Sequence, residues 1–148
     1  MIGALALEPE TPGRAILQCA WFNLVATTAV AVPFALGVDA LEFVVAGVCL
    51  ISLVIGLGVW VVAFAKALGR TTRGDDVAVS NWVFLSGSAP RPVRQQFLTV
   101  AILTLVLTAA TTATNPFVWL ANLLPLGLSA LWGALHGTFP ARRMGRHG

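Results

Sequence analysis

The chain has 148 residues, of which 57% are hydrophobic and only 10% are charged, with a formal net charge of +3. An average soluble domain is about one quarter charged, so this composition excludes an ordinary soluble protein. The basic residues are few and lie beside apolar segments, which argues against nucleic-acid binding. The length suits one compact unit, and we expect a single membrane domain over residues 1–148.

The first half of the chain contains two long apolar segments separated by a short turn. No charged residue lies between Arg14 and Asp39. The residues before Arg14 lack the basic cluster of a secretory signal, so we expect the first segment to remain as a membrane span. We predict spans over residues 15–37 and 41–65, each long enough as a helix to cross a hydrocarbon core of about 30 Å.

The second half contains a longer uncharged segment, because residues 95–141 include no Asp, Glu, Lys or Arg. A turn signal at Asn115–Pro116 divides this segment in two. We therefore predict two further spans over residues 96–113 and 117–139. The four spans together predict an all-α integral membrane protein, a four-helix bundle made of two helical hairpins.

The placement of the basic residues predicts the orientation. The middle connection, residues 66–95, carries five of the nine basic residues, and the C-terminal tail carries Arg142, Arg143 and Arg146. The two hairpin tips carry none. The positive-inside rule then places both termini and the middle loop in the cytoplasm, and the protein in the cytoplasmic (inner) membrane.

The middle loop is the most distinctive polar segment. Residues 77–85 are too short to span a membrane and too apolar for free solution, so we expect a short interfacial helix with Trp82 and Phe84 in the membrane surface. Basic flanks favour docking of a partner or contact with anionic lipids at the cytoplasmic face. The residues that we assign to such contacts are Arg70, Arg73, Trp82, Phe84, Arg91 and Arg94.

Ionisable residues inside a membrane usually have a function, because burying a charge in lipid is costly. The fourth span offers only His136, which is either a proton relay or an interfacial polar residue, and a lone His is a poor metal site. Thr104, Thr108 and Thr111 share one helix face. Such a stripe lines a polar path or, more often, makes interhelical hydrogen bonds.

The sequence offers little support for an enzyme. Asp75 and Asp76 lie beside several arginines and could hold a metal-bound phosphate, but membrane phosphotransferases need more acidic residues at helical spacing. The chain has no Gly-rich phosphate loop, nucleophile elbow or cysteine pair. We therefore expect no enzymatic activity, no catalytic residue, no cofactor and no metal.

Two segments carry a resemblance. Residues 81–94 (NWVFLSGSAPRPVR) and 131–142 (LWGALHGTFPAR) resemble segments of small four-helix membrane proteins of high-GC bacteria. The resemblance covers most of the chain, but those proteins bring no established activity, so it transfers no site residue. The chain does not resemble the small multidrug transporters, which depend on an acidic residue in the middle of the first span.

These features predict an accessory, assembly or scaffolding subunit of a larger membrane complex. Its partners would be the lipid bilayer together with other membrane subunits or a second copy of the chain. The alternative is a small transporter or lipid-handling protein, in which Thr104, Thr108, Thr111 and His136 line a path.

Overall fold

The computed structural model describes residues 11–141, so the tail arginines used to predict the orientation lie outside the described residues. Four helices in this part of the chain are long and apolar enough to cross a membrane. They support a small multi-pass membrane protein. Within the described range the structure is helical, and its one extended pairing is an isolated bridge between Asp75 and Ala141.

Residues 11–141 form five α-helices and two 3₁₀ segments. The helices are α1 (Arg14–Ala35), α2 (Glu42–Thr71), α3 (Val79–Trp82), α4 (Arg91–Thr111) and α5 (Leu123–His136). The 3₁₀ segments, Asp39–Leu41 and Pro116–Asn122, lead into α2 and α5. We call Pro116–His136, the 3₁₀ segment with α5, the last span.

The helices around the middle loop are longer than the sequence predicted. α2 continues to Thr71 because the residues after position 65 are mostly good helix formers, and its last turn holds Arg70, where a cation suits the helix dipole. α4 begins already at Arg91 because Pro92 fits the first turn of a helix. The connection between the two helices is therefore only residues 72–90.

The last span is not one regular helix. The side chain of Asn115 accepts a hydrogen bond from the backbone N–H of Phe117 (2.9 Å) and starts the 3₁₀ segment, which becomes α-helical at Leu123. Pro125 has no N–H to donate to the carbonyl oxygen of Ala121 four residues earlier. Pro116, at the start of the 3₁₀ segment, and Pro125 thus explain why the expected single helix consists of a 3₁₀ part and an α-helical part.

The last span lies at the centre of the bundle. In its most apolar 18-residue stretch 61% of the residues are buried, compared with 22% in the corresponding stretch of the second span. The most extensive contact of the last span is the one that α5 makes with α2. A Cβ atom at Gly56 would lie 3.1 Å from the backbone nitrogen of Leu124, and one at Gly127 would lie 2.9 Å from Trp60. These glycines let the two backbones approach closely, and the contact joins the two predicted hairpins.

Apolar side chains fill the bundle at three levels. The largest cluster joins α1, α4 and the last span through Leu24, Phe97, Val100, Leu128 and Trp132, among others. Many outward-facing side chains of α2 and α4 are also Leu, Ile or Val. That pattern fits helices whose outer faces contact lipid.

Candidate functional site

The middle loop folds back onto the end of the last span. The backbone N–H of Thr138 donates to the carbonyl of Ser88, and the N–H of Asp76 donates to the carbonyl of Pro140, both at 2.9 Å. Asp75 pairs with Ala141 in the isolated bridge. We define the end cap as residues 72–90 together with residues 137–141, which these backbone contacts hold together.

Trp82 anchors the end cap in the bundle. Its side chain is only 8% exposed, its indole N–H donates to the carbonyl of Ala130 (2.8 Å), and its ring meets Trp60 edge-on at 5.9 Å. Gly133 permits this approach, because a Cβ there would overlap the carbonyl oxygen of Trp82. The indole therefore points into the bundle, and the expected contact of Trp82 with the membrane surface is not confirmed.

The helix in the loop is also shorter than expected. α3 covers only Val79–Trp82, whereas the sequence suggested an interfacial helix over residues 77–85. Leu85 follows with a left-handed backbone (φ 55°), which costs a residue with a Cβ about 1–2 kcal/mol. Burial of its side chain in the same apolar cluster as Leu17 and Phe97 offsets that cost. Burial of Trp82 and Leu85 thus sets the conformation of the loop.

Arg70 closes the C-terminal end of α5. Its guanidinium donates to the carbonyl oxygens of Gly137 and Leu135, the latter at 3.2 Å, and lies 5.2 Å from the ring centroid of Phe139. Carbonyl groups at a helix end lack partners within the helix, so a cation there satisfies them and complements the dipole. Arg70 is therefore engaged within the protein.

The other predicted docking residues remain at the surface. Arg73 is exposed and donates from Nε to the carbonyl of Gly69 (3.0 Å). Phe84 is 49% exposed, and Arg91 is also exposed. Arg94 is partly buried, and its Nε has neither solvent contact nor a hydrogen-bond partner.

The threonine stripe of α4 faces the interior of the bundle. Thr104, Thr108 and Thr111 are buried, and each hydroxyl donates to a carbonyl oxygen of its own helix. The side-chain amide of Asn122 also donates to the hydroxyl oxygen of Thr108 (2.8 Å). The stripe thus joins α4 to the last span.

A second set of polar contacts joins α1 and α2 to the last span. These contacts lie where the 3₁₀ part of that span meets its α-helical part. Ser52 donates to the side-chain oxygen of Asn23 (2.7 Å), and the amide of Asn23 donates to the carbonyl of Ala121 (3.3 Å). We did not assign Asn23 and Ser52 a site role from the sequence. The available signal was Pro125, which leaves the carbonyl of Ala121 without its usual helical donor.

His136 is not part of this polar layer. It is the last residue of α5, it is exposed, and its ring lies 5.6 Å from that of Trp132. It lines a cavity together with Pro90 and Val93, at the start of α4. Thr104 lies about 20 Å along α4 from its first residue, beyond buried Phe97 and Val100. The four residues of the hypothetical path are therefore not brought together.

Two open cavities lie in the end cap. One, of about 540 Å³, is lined by Asn81, Ser86, Gly87, Thr138, Phe139 and Pro140. The other, of about 370 Å³, includes Pro12, Ser88 and His136, and the indole N–H of Trp132 donates to the carbonyl of Pro12 beside it (2.9 Å). The N-terminal segment, the middle loop and the C-terminal segment thus meet at one end of the bundle.

Residues 11–141 contain no group of three or more His, Cys, Asp or Glu side chains that could hold a metal ion. The backbones of Asp75 and Asp76 are used in pairing with the C-terminal segment. No protein-family model, curated protein or solved structure matches the chain. The geometry of the end cap and of the bundle interior is therefore the basis for a functional conclusion.

Proposed function

We propose that this protein is an accessory or scaffolding subunit of a larger membrane complex, and that its end cap is the docking surface. One observation carries the proposal: the connection between α2 and α4 is a folded structure. Trp82 and Leu85 are buried in the bundle, and Arg70 fixes the adjoining end of α5. A flexible linker would need none of these contacts.

The outer surface of the cap offers apolar side chains on a fixed backbone. Val79 and Phe84 are both exposed large hydrophobic residues on either side of buried Trp82. A rigid surface loses little conformational entropy on binding, so such residues can contribute most of their burial energy to an interface. The cavity of about 540 Å³ beside Asn81 could receive a side chain of the partner.

The bundle interior supports docking over transport. The hydroxyls of Thr104 and Thr111 already donate to carbonyl groups of α4, and Thr108 is also the acceptor for Asn122. Apolar side chains, including Val100 and Leu128, fill the bundle between this layer and the cap. A substrate would have to displace these contacts to cross the bundle.

The proposal includes an orientation. The end cap carries Arg73 and adjoins Arg70, Arg91 and Arg94, so the positive-inside rule favours this end in the cytoplasm. The partner would then be a membrane subunit with a cytoplasmic contact surface.

Affinity purification after gentle detergent extraction and chemical crosslinking tests the proposal. A tagged chain should copurify with at least one other membrane protein in a fixed ratio, and Phe84→Ser should reduce its recovery strongly. Phe43→Ser is the matched control, because Phe43 is 85% exposed at the opposite end of α2. The proposal is wrong if the wild type purifies alone or only with itself, or if both variants retain the partner equally.

A further inference from the structure

One face of the first two turns of α4 lines a basic cavity. Arg91, Arg94, Gln95 and Leu98 surround an open space of about 370 Å³. Their spacing of three, four and seven residues places them on the same side of the helix. The cavity is thus polar toward the helix start and apolar toward the bilayer.

The two arginines of this cavity differ from Arg73 of the end cap and from Arg70 beside it. The guanidinium groups of Arg70 and Arg73 donate to backbone carbonyl groups, whereas within residues 11–141 the guanidinium groups of Arg91 and Arg94 have no hydrogen-bond or acidic partner. The Nε of Arg94 is also shielded from solvent. A buried donor without an acceptor is costly, so this N–H is suited to an acceptor that residues 11–141 do not provide.

The start of the helix adds to the positive charge. The first turn of α4 contains no acidic residue, and Pro90 provides no side-chain cap. The positive end of the helix dipole therefore reinforces Arg91 and Arg94, with no acidic residue in the same turn to offset it. Guanidinium groups bind phosphate oxygens through paired hydrogen bonds, which a lysine cannot match.

We propose that this cavity binds a phosphate group, supplied by the headgroup of an anionic phospholipid. Arg91 and Arg94 would donate to the phosphate oxygens, and Leu98 would contact the first carbons of the acyl chains. Free phosphate offers the same oxygen atoms but has no apolar part to use Leu98. This inference does not depend on the docking role of the end cap.

Native mass spectrometry of the delipidated full-length protein in detergent provides the measurement. Phosphatidylglycerol is titrated in one arm, phosphatidylcholine in a second, and inorganic phosphate or glycerol phosphate in a third. We expect one phosphatidylglycerol to bind preferentially, and the double substitution R91Q/R94Q to weaken that binding at least about tenfold. Arg94→Lys keeps the charge but lacks Nε, and we expect this variant to retain only part of the wild-type affinity for phosphatidylglycerol.

The control is K66Q/R73Q, which removes the same charge at the same end of the bundle from side chains outside the cavity. It should bind phosphatidylglycerol as the wild type does, with both double variants eluting as folded protein. Tight binding of soluble phosphate that depends on the arginines would support the phosphate site and overturn the lipid as its source. Equal losses in the two double variants, or no loss in either, would overturn the site itself.

Discussion

The side-chain amide of Asn23 donates a hydrogen bond to the carbonyl oxygen of Ala121, 98 residues later in the chain. Pro125 cannot provide the helical N–H for that carbonyl, so α1 supplies the donor. In lipid, no water is available to replace it. The break in the last span is therefore stabilised by a side chain from another helix, and Ser52 orients that side chain.

Removing this donor should destabilise the bundle. We expect Asn23→Ala to lower the free energy of unfolding by about 1 kcal/mol, because hydrogen bonds to Ala121 and Ser52 are both lost. Thr28→Ala is the control, since the Thr28 hydroxyl donates only to Leu24 of its own helix. The measurement is unfolding by sodium dodecyl sulfate in mixed micelles, followed by tryptophan fluorescence. Equal effects of the two substitutions would show that the Asn23 contact does not support the break.

Two glycines test the attachment of the end cap. Gly133→Ala should lower the unfolding free energy by about 1–3 kcal/mol, because the new methyl group forces Trp82 away from α5. Gly58→Ala should leave it unchanged or raise it slightly, since a Cβ at Gly58 meets no atom within 4 Å. The same unfolding assay compares them. Similar effects at both sites would mean that the cap is not held against α5.

The threonine stripe separates a structural role from a transport role. Thr104→Val should be close to neutral, because its hydroxyl serves only a carbonyl of α4. Thr108→Val removes the acceptor of Asn122 and should cost about 1 kcal/mol. Unfolding of both variants in detergent checks this order. A Thr104→Val variant that is as stable as the wild type but cannot replace the wild-type protein in the cell would instead favour a polar path.

Much of the membrane architecture could be predicted from sequence. The uncharged segments and their basic flanks indicated four spans, and the structure contains four helices of suitable length and hydropathy. Lipid imposes this pattern residue by residue, so it is visible locally. The end of α2 was less visible, because a helix can continue into water past Lys66 without any change in hydropathy.

The arrangement of the end cap could not be predicted in the same way. An apolar segment with Trp82 fits an interfacial helix as well as a buried anchor, and only its contact with Ala130 and Gly133 decides between them. Those residues lie about 50 positions later in the chain. The left-handed backbone of Leu85 likewise depends on its burial and has no local sequence signal.

The orientation is open to a labelling experiment. In a variant with Cys19 replaced by Ala, a cysteine introduced at exposed Ser80 should react with an impermeant maleimide only after the cells are opened. A cysteine at Thr114, at the other end of the bundle, should react in intact cells, because the positive-inside rule places that turn outside. Buried Cys49 serves as the unlabelled background. The opposite labelling pattern would reverse the proposed orientation.

Site-specific photo-crosslinking in native membranes tests the docking role of the end cap most directly. A benzoylphenylalanine at Phe84 should give a discrete crosslinked band with another membrane protein, whereas the same residue at Phe43 should give none. Both positions carry exposed phenylalanines, so the probe itself is matched. Crosslinks to lipid alone at both positions, or the same protein bands from both, would contradict the docking role of the end cap.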